Sequence, residues 1–280
     1  MRAAYRFQFS MEWGRTAFRF LATFALLAVP AFSANDRDPS QSEKQQSPEH
    51  LTIPSGTILP MILETTIAPS NAKQGQVIHA KIAQDVPLPG DTKIQRGSKV
   101  QGRIVEIVPE ANRVGAKISV RFDKLYVRGQ PTAITTDLRA IAGFMEVLYA
   151  STPNRAIGEG DVPEWMTTTQ IGGDSVFGRG NVVTSAHNSD DVVGRSLMSG
   201  GVLAQPRPNK TGQCRGSLGS SNGEQAFWVF SSDACGVYGL SKVSIAHAGR
   251  TDPVGTIIFG VETRKTKIQD GAGLLLRVIS

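Results

Sequence analysis

The sequence predicts an all-β protein, an antiparallel β-barrel or sandwich-like domain with a long irregular insertion. Two observations predict it. Short β-branched segments separated by Gly, Pro, Asn and Asp fill residues 51–138 and return over 225–280. Between them, residues 151–224 are rich in Gly, Ser, Thr, Asn and Asp and show no sustained apolar period.

The strand segments in the first part are 57–67 (TILPMILETTI), 76–86 (QVIHAKIAQDV), 99–108 (KVQGRIVEIV) and 116–127 (AKISVRFDKLYV). The last is the cleanest. Ile118, Val120 and Phe122 alternate with Lys117, Ser119, Arg121 and Asp123, giving one apolar and one wet face. Pro89-Gly90 and Arg96-Gly97 stand where turns are needed. A fifth strand is expected at 131–138 and a short helix at 139–150. The 151–224 stretch is either a surface insertion or a set of short strands whose register the sequence does not reveal, since structureless loops beyond about 15 residues are uncommon in compact domains. Order returns at 225–230 (QAFWVF), 237–247, 255–263 and 273–279, with Asp270-Gly271 as a turn before the last strand. Together the two ends supply about nine strands, suited to a barrel or sandwich.

The N-terminus carries the marks of export. Arg15 and Arg19 precede the apolar run 20–29, Pro30 ends it, and Ala31-Phe32-Ser33 offers small residues for cleavage between Ser33 and Ala34. The run is shorter than the roughly 20 residues needed to span a bilayer, so residues 1–33 read as a signal peptide, with an uncleaved anchor as the alternative. A start at Met11 would give the leader a commoner length. No lipobox cysteine follows it. Residues 34–50 (ANDRDPSQSEKQQSPEH) are too polar to bury a core and read as a disordered linker. The expected compartment is therefore periplasmic, outer-envelope or extracellular.

Charge excludes one class of partner. The whole chain has 30 Lys and Arg against 24 Asp and Glu, a net +6, which falls to +3 once residues 1–33 are removed. Without a basic block interleaved with aromatics, nucleic acid is not an expected partner. Two cysteines, Cys214 and Cys235, are separated by 20 residues in the C-terminal part. In an exported chain this small even count points to one disulfide, with two free thiols as the alternative. Such a closure contributes about 3 kcal/mol in the chain-entropy picture.

The first β region also carries a recognisable series of motifs: Ile53-Pro54-Ser55-Gly56-Thr57-Ile58-Leu59-Pro60, then Leu63-Glu64-Thr65, Gln84-Asp85-Val86, Ile94-Gln95-Arg96-Gly97-Ser98-Lys99-Val100-Gln101-Gly102 and Arg121-Phe122-Asp123-Lys124-Leu125. In that order they resemble the periplasmic β-barrel domain of the channel-scaffold component (TrbI-like) of bacterial conjugation and type IV secretion machines. The resemblance covers roughly 51–138, and its motifs place turn glycines and edge prolines rather than catalytic groups. It implies a barrel-like fold in the cell envelope. That family has an N-terminal membrane anchor, a proline-rich arm and a helical outer-membrane antenna. None has an evident counterpart here.

Val182-Val183-Thr184-Ser185-Ala186-His187 is similar to the histidine segment of chymotrypsin-like proteases, and Gly172-Gly173-Asp174-Ser175 to their serine segment. A hydrolase reading would use Ser175, His187 and Asp190 or Asp191, but the order is inverted and only 93 residues follow His187, too few for that double barrel. Asp174, Asn188, Asp190 and Asp191 are oxygen donors without calcium-loop spacing. His50, His79, His187 and His247 lack zinc-ligand spacing. No phosphate-binding motif follows a strand. Trp165, Phe227, Trp228 and Phe230 read either as core or as a platform for a glycan or a partner.

The expectation is therefore an exported, non-catalytic envelope protein without cofactor or metal, with a structural or partner-binding role. Its partner would be an envelope protein or glycan, and membrane association is compatible with it. A secreted hydrolase using 151–224, and a true secretion subunit assembling into rings, are the alternatives.

Overall fold

The computed structural model describes residues 52–111, 114–152, 154–155, 166–177, 181–209, 223–246 and 252–280. The leader, its Ser33/Ala34 junction, the linker, His50, Trp165, Cys214 and His247 lie outside the described residues.

In chain order the first part forms β1 (Ile58–Leu63), β2 (Val77–Ile82), β3 (Val86–Leu88), β4 (Thr92–Ile94), β5 (Lys99–Pro109), β6 (Ala116–Val127), β7 (Gln130–Ala133) and β8 (Thr136–Ala142). A short helix, α1 (Phe144–Ser151), follows. The middle forms β9 (Asn154–Arg155), β10 (Met166–Thr169), β11 (Ser175–Phe177), β12 (Val182–Ser185), β13 (Asn188–Ser196) and β14 (Val202–Ala204). The end forms β15 (Gln225–Ala226), β16 (Gly236–Tyr238), β17 (Val243–Ile245), β18 (Ile257–Val261) and β19 (Gly273–Val278). The fold is all-β, as the alternating segments predict.

The largest sheet runs β16-β8-β19-β1-β2-β5-β6-β18-β17, with β7 also paired to β6. Both ends of the chain therefore contribute neighbours: β1 pairs antiparallel with β19, and β6 with β18. Laid flat, the outermost strands of this nine-strand path would stand roughly 38 Å apart. Yet only residues 239–242 separate β16 from β17, a span of at most about 19 Å. The sheet must curl, bringing its edges towards each other in an incomplete barrel. Its interior is filled by alternate residues, among them Leu59, Met61, Ile78, Val100, Ile118, Phe122, Leu138, Phe259 and Leu274.

One wall of the barrel is apolar on both faces. On β1, β8 and β19, Leu59, Leu138, Ile141 and Leu276 point inward, while Ile58, Ala140, Ala142 and Leu275 join a second core outside. Covering that wall is the second sheet, in the order β15-β14-β13-β12-β11-β10-β9. It presents Val176, Val183, Val193, Val202 and Ala204 to the wall. The region 151–224 thus holds a meander of short antiparallel strands. In the longest of them, β13, only Val193 and Ser196 are enclosed, which accounts for that strand's polar composition, whereas β14 is buried throughout and β12 is buried beyond Val182.

Three local expectations are corrected. The segment 139–142 is strand rather than helix, because every residue of β8 is buried between the two cores. The helix begins only after Gly143. The 225–230 run is a strand for two residues only. Trp228 then adopts φ 55°, and Phe230 N–H donates to Phe227 O at 2.9 Å, closing a turn that drives Phe227 and Phe230 into the second core. Within 76–86 and 237–247 the chain breaks into β2 and β3, and β16 and β17.

The motif residues of the first part each have a structural task. Gly56 sits at φ 91° and its N–H donates to Val278 O at 2.8 Å, tying the two chain ends together. Thr65 Oγ1 accepts from His79 N–H at 3.0 Å, and Arg103 pairs with Asp123 across β5 and β6. Gln84, fully enclosed, donates to Val202 O and accepts from Val202 N–H, both at 3.0 Å, as a strand neighbour would. Asp85 accepts from Arg96 N–H at 2.8 Å and pairs with Lys93 at 2.5 Å.

The Arg96 amide, then Lys93, hold the Asp85 carboxyl below its ordinary 3.8. A carboxylate depressed in the fold stabilises above its unfolded pKa and loses that contribution as pH falls through the folded value. Asp85→Asn is therefore expected to cost about 1 kcal/mol at neutral pH. The gap to the parent should close in acid below 3.8. Urea titrations across that pH range check this; a pH-independent gap would contradict the assignment.

Candidate functional site

The residues nominated for hydrolysis do not form a catalytic array. Ser175 lies on β11 opposite Thr184, and His187 occupies the two-residue turn between β12 and β13, exposed to solvent. Asp190 N–H donates to Asn188 Oδ1 at 3.0 Å, and Asp191 pairs with Arg207 at 2.6 Å. Among the described residues, no hydrogen bond joins Ser175, His187, Asp190 and Asp191 to one another. Nor does any cluster of three or more His, Cys, Asp or Glu that could hold a metal occur among them. His79 is an exposed β2 residue facing Gln101 on β5.

The Gly172-Gly173-Asp174 segment instead anchors the second sheet. Both glycines have φ near 112°, and a Cβ on Gly172 would collide with Ser231 Oγ. This lets the buried Asp174 carboxylate accept from Ser232 N–H at 2.8 Å, Ser232 Oγ at 2.7 Å and Ala186 N–H at 3.3 Å. Gln170 reaches the same loop, donating to Phe230 O at 2.8 Å.

Arg139 is the centre of this polar layer. In the β8–β19 ladder Leu275 faces Ala140 and Leu276 faces Leu138, so Arg139 is the extra residue of a β-bulge. The bulge turns its side chain outward beneath the second layer. There the guanidinium donates to Ala234 O, Ser232 O and Arg207 O at 2.8–2.9 Å and lies 5.5 Å from the centroid of Phe227. Burial lowers its pKa to about 10, against the opposing pull of nearby Asp233. Beside it, Tyr238 Oη accepts from Cys235 N–H at 3.0 Å and donates to Cys235 O at 3.2 Å, and burial raises the phenol's pKa. Cys235 itself is fully enclosed. This network closes loops onto a sheet, and most of its hydrogen bonds run to backbone groups. The sequence signal for it was a lone arginine inside the apolar run Leu138–Ala142, a pattern that implies a buried cation with acceptors around it.

Among the described residues, exposed apolar side chains cluster on α1. Phe144, Met145, Leu148 and Tyr149 share one helix face and are 44%, 49%, 44% and 66% exposed. An eight-residue helix is marginal alone, and this one is fixed by its surroundings. Gly143 N–H donates to Tyr238 O at 3.0 Å, Val147 is buried in the second core, and Ser151 Oγ and Thr152 Oγ1 donate to the carbonyls of Val147 and Leu148. Next to α1, residues 239–243, Thr263 and residues 265–267 line an open groove of about 300 Å³. A second open depression, about 500 Å³, lies at the β5–β6 hairpin between Val108, Pro109, Glu110, Ala111 and Lys117.

No family model matches the chain, and neither the curated proteins nor the solved structures contain a match to it.

Two substitutions test the polar layer. Arg139→Met keeps the volume but leaves three carbonyls without their donor, and should lower unfolding free energy by about 2–4 kcal/mol. Gly172→Ala should cost about 1–3 kcal/mol through its positive φ and the contact with Ser231. Guanidinium titrations read both; values within about 0.5 kcal/mol of the parent, as for ordinary surface changes, would contradict the network.

Proposed function

We propose that this chain is an exported, non-catalytic β-domain protein of the cell envelope that holds a partner protein on the face carrying α1. The observation that carries the reading is the set of four large apolar side chains on α1, exposed together on a helix that the barrel holds rigidly. Soluble proteins rarely leave such clusters bare unless they serve an interface. Phe, Met and Tyr are among the residues enriched at the centres of protein–protein contacts, which favours a protein over a glycan. A preformed platform also avoids the entropy of ordering a loop on binding. The export signature at residues 15–33 supplies the compartment. The motifs of 51–138 favour an architectural role like that of the conjugation scaffold barrels, and the disulfide between Cys214 and Cys235 belongs to the same reading.

A photo-crosslinking residue placed at Tyr149 should give one discrete, saturable adduct with an envelope protein, whereas the same residue at Lys124 should not. Affinity for that partner should fall at least about tenfold in Leu148→Ala/Tyr149→Ala with the fold unchanged by circular dichroism. Equal adducts from both positions, or unchanged affinity in the double variant, would remove the proposal.

A further inference from the structure

A second surface has chemistry of its own, independent of the partner face. The groove beside α1 is lined by Gly239, Leu240, Ser241, Lys242 and Val243 on one side and by Thr263, Lys265, Thr266 and Lys267 on the other. Lys242 comes from the β16–β17 connection, Lys265 and Lys267 from the β18–β19 connection, and Arg264 stands in the same turn. All four cations are exposed, and among the described residues none enters an ion pair. Two carboxylates lie close, Glu146 against Gly239 and the exposed Glu262, but neither lines the groove.

The walls are held in place. Glu262 N–H donates to Lys242 O at 3.1 Å, joining the two loops directly. Thr266 N–H donates to Thr263 O at 3.0 Å, and the two threonine hydroxyls bond each other at 2.9 Å, fixing the turn that carries Arg264 and Lys265. Ile268 is fully buried and bridges Ile67, anchoring the chain immediately after Lys267. Like charges converging on one concavity repel one another, and an anion relieves that repulsion. Hydroxyls of Ser241, Thr263 and Thr266 supply neutral hydrogen-bonding groups alongside the ammonium groups.

We infer that this groove binds a phosphate group carried on a small ester or a lipid headgroup, with Lys242, Lys265 and Lys267 as its charged contacts. Phosphate fits better than carboxylate because several oxygens can engage ammonium groups from both walls at once. Near an anionic surface each lysine contributes roughly fivefold in affinity, so the three together contribute on the order of a hundredfold.

The test uses the full chain and two probes: sn-glycerol 3-phosphate, followed by amide shifts of residues 241–243 and 263–267, and sedimentation with vesicles of equal parts phosphatidylcholine and phosphatidylglycerol. K242Q/K265Q/K267Q should lose on the order of a hundredfold in binding. K73Q/K99Q/K124Q removes the same charge elsewhere and should stay within severalfold of the parent. The leader is common to all three proteins, so it cancels from the comparison, and α1 is untouched, so partner binding there is unaffected. Shifts with glycerol phosphate alone assign a soluble phosphate ester; selective retention on the anionic vesicles assigns the headgroup. Equal losses in the two triple variants, or binding of neither probe by a protein with native circular dichroism, would overturn the inference.

Discussion

Burial of one barrel wall on both faces is the constraint from which the rest of this structure follows. β1, β8 and β19 carry apolar side chains inward and outward, so a barrel alone would leave Ile58, Ala140, Ala142 and Leu275 in water. The second sheet covers them, built from strands between Asn154 and Ala226. Because the cover and the wall share a core, residues 50–280 form one compact unit rather than two domains.

A two-layer arrangement of this kind must satisfy polar groups where strand pairing stops. Side chains do it at three places. Gln84 stands in for a strand opposite Val202, Asp174 collects the donors of Ser232 and Ala186, and Arg139 covers the carbonyls of Arg207, Ser232 and Ala234. Each joins segments far apart in the chain, and each is buried, where a lost partner costs most. Residues that resemble catalytic or metal-binding groups in the sequence are drawn into this work. Asp174 is the clearest case, as its protease-like surroundings prove to be a turn that needs two glycines. Among the described residues, exposed apolar side chains cluster on α1, and a lysine-lined groove lies beside it.

Much of the barrel was legible in the residues. The alternation of 116–127 became β6 over the same residues, and the segments at 57–67, 99–108, 255–263 and 273–279 each hold a strand. These strands have one wet face and one dry face, or lie between unmistakable turn residues, so period and punctuation agree. The second sheet was not legible. Its strands are mostly two to four residues long, shorter than the window in which a two-residue period can be seen, and β12 and β13 are offset by bulges. The 225–230 run has the look of a continuous strand because bulky apolar residues look alike in a strand and in a turn folded into a core. Of the candidate site, the lysines of the groove were visible as charges, but they come from two connections that only the barrel brings together.

By itself the sequence determined the fold class, most of the longer strands, and the turns between them. These depend on side-chain period and backbone preference, which are local properties. Only the tertiary structure decided that the sheet curls, that Arg139 faces a second layer, and that α1 keeps its apolar face bare. Those outcomes depend on which surfaces meet across long stretches of chain, and a residue's neighbours in space are not written in its neighbours in sequence.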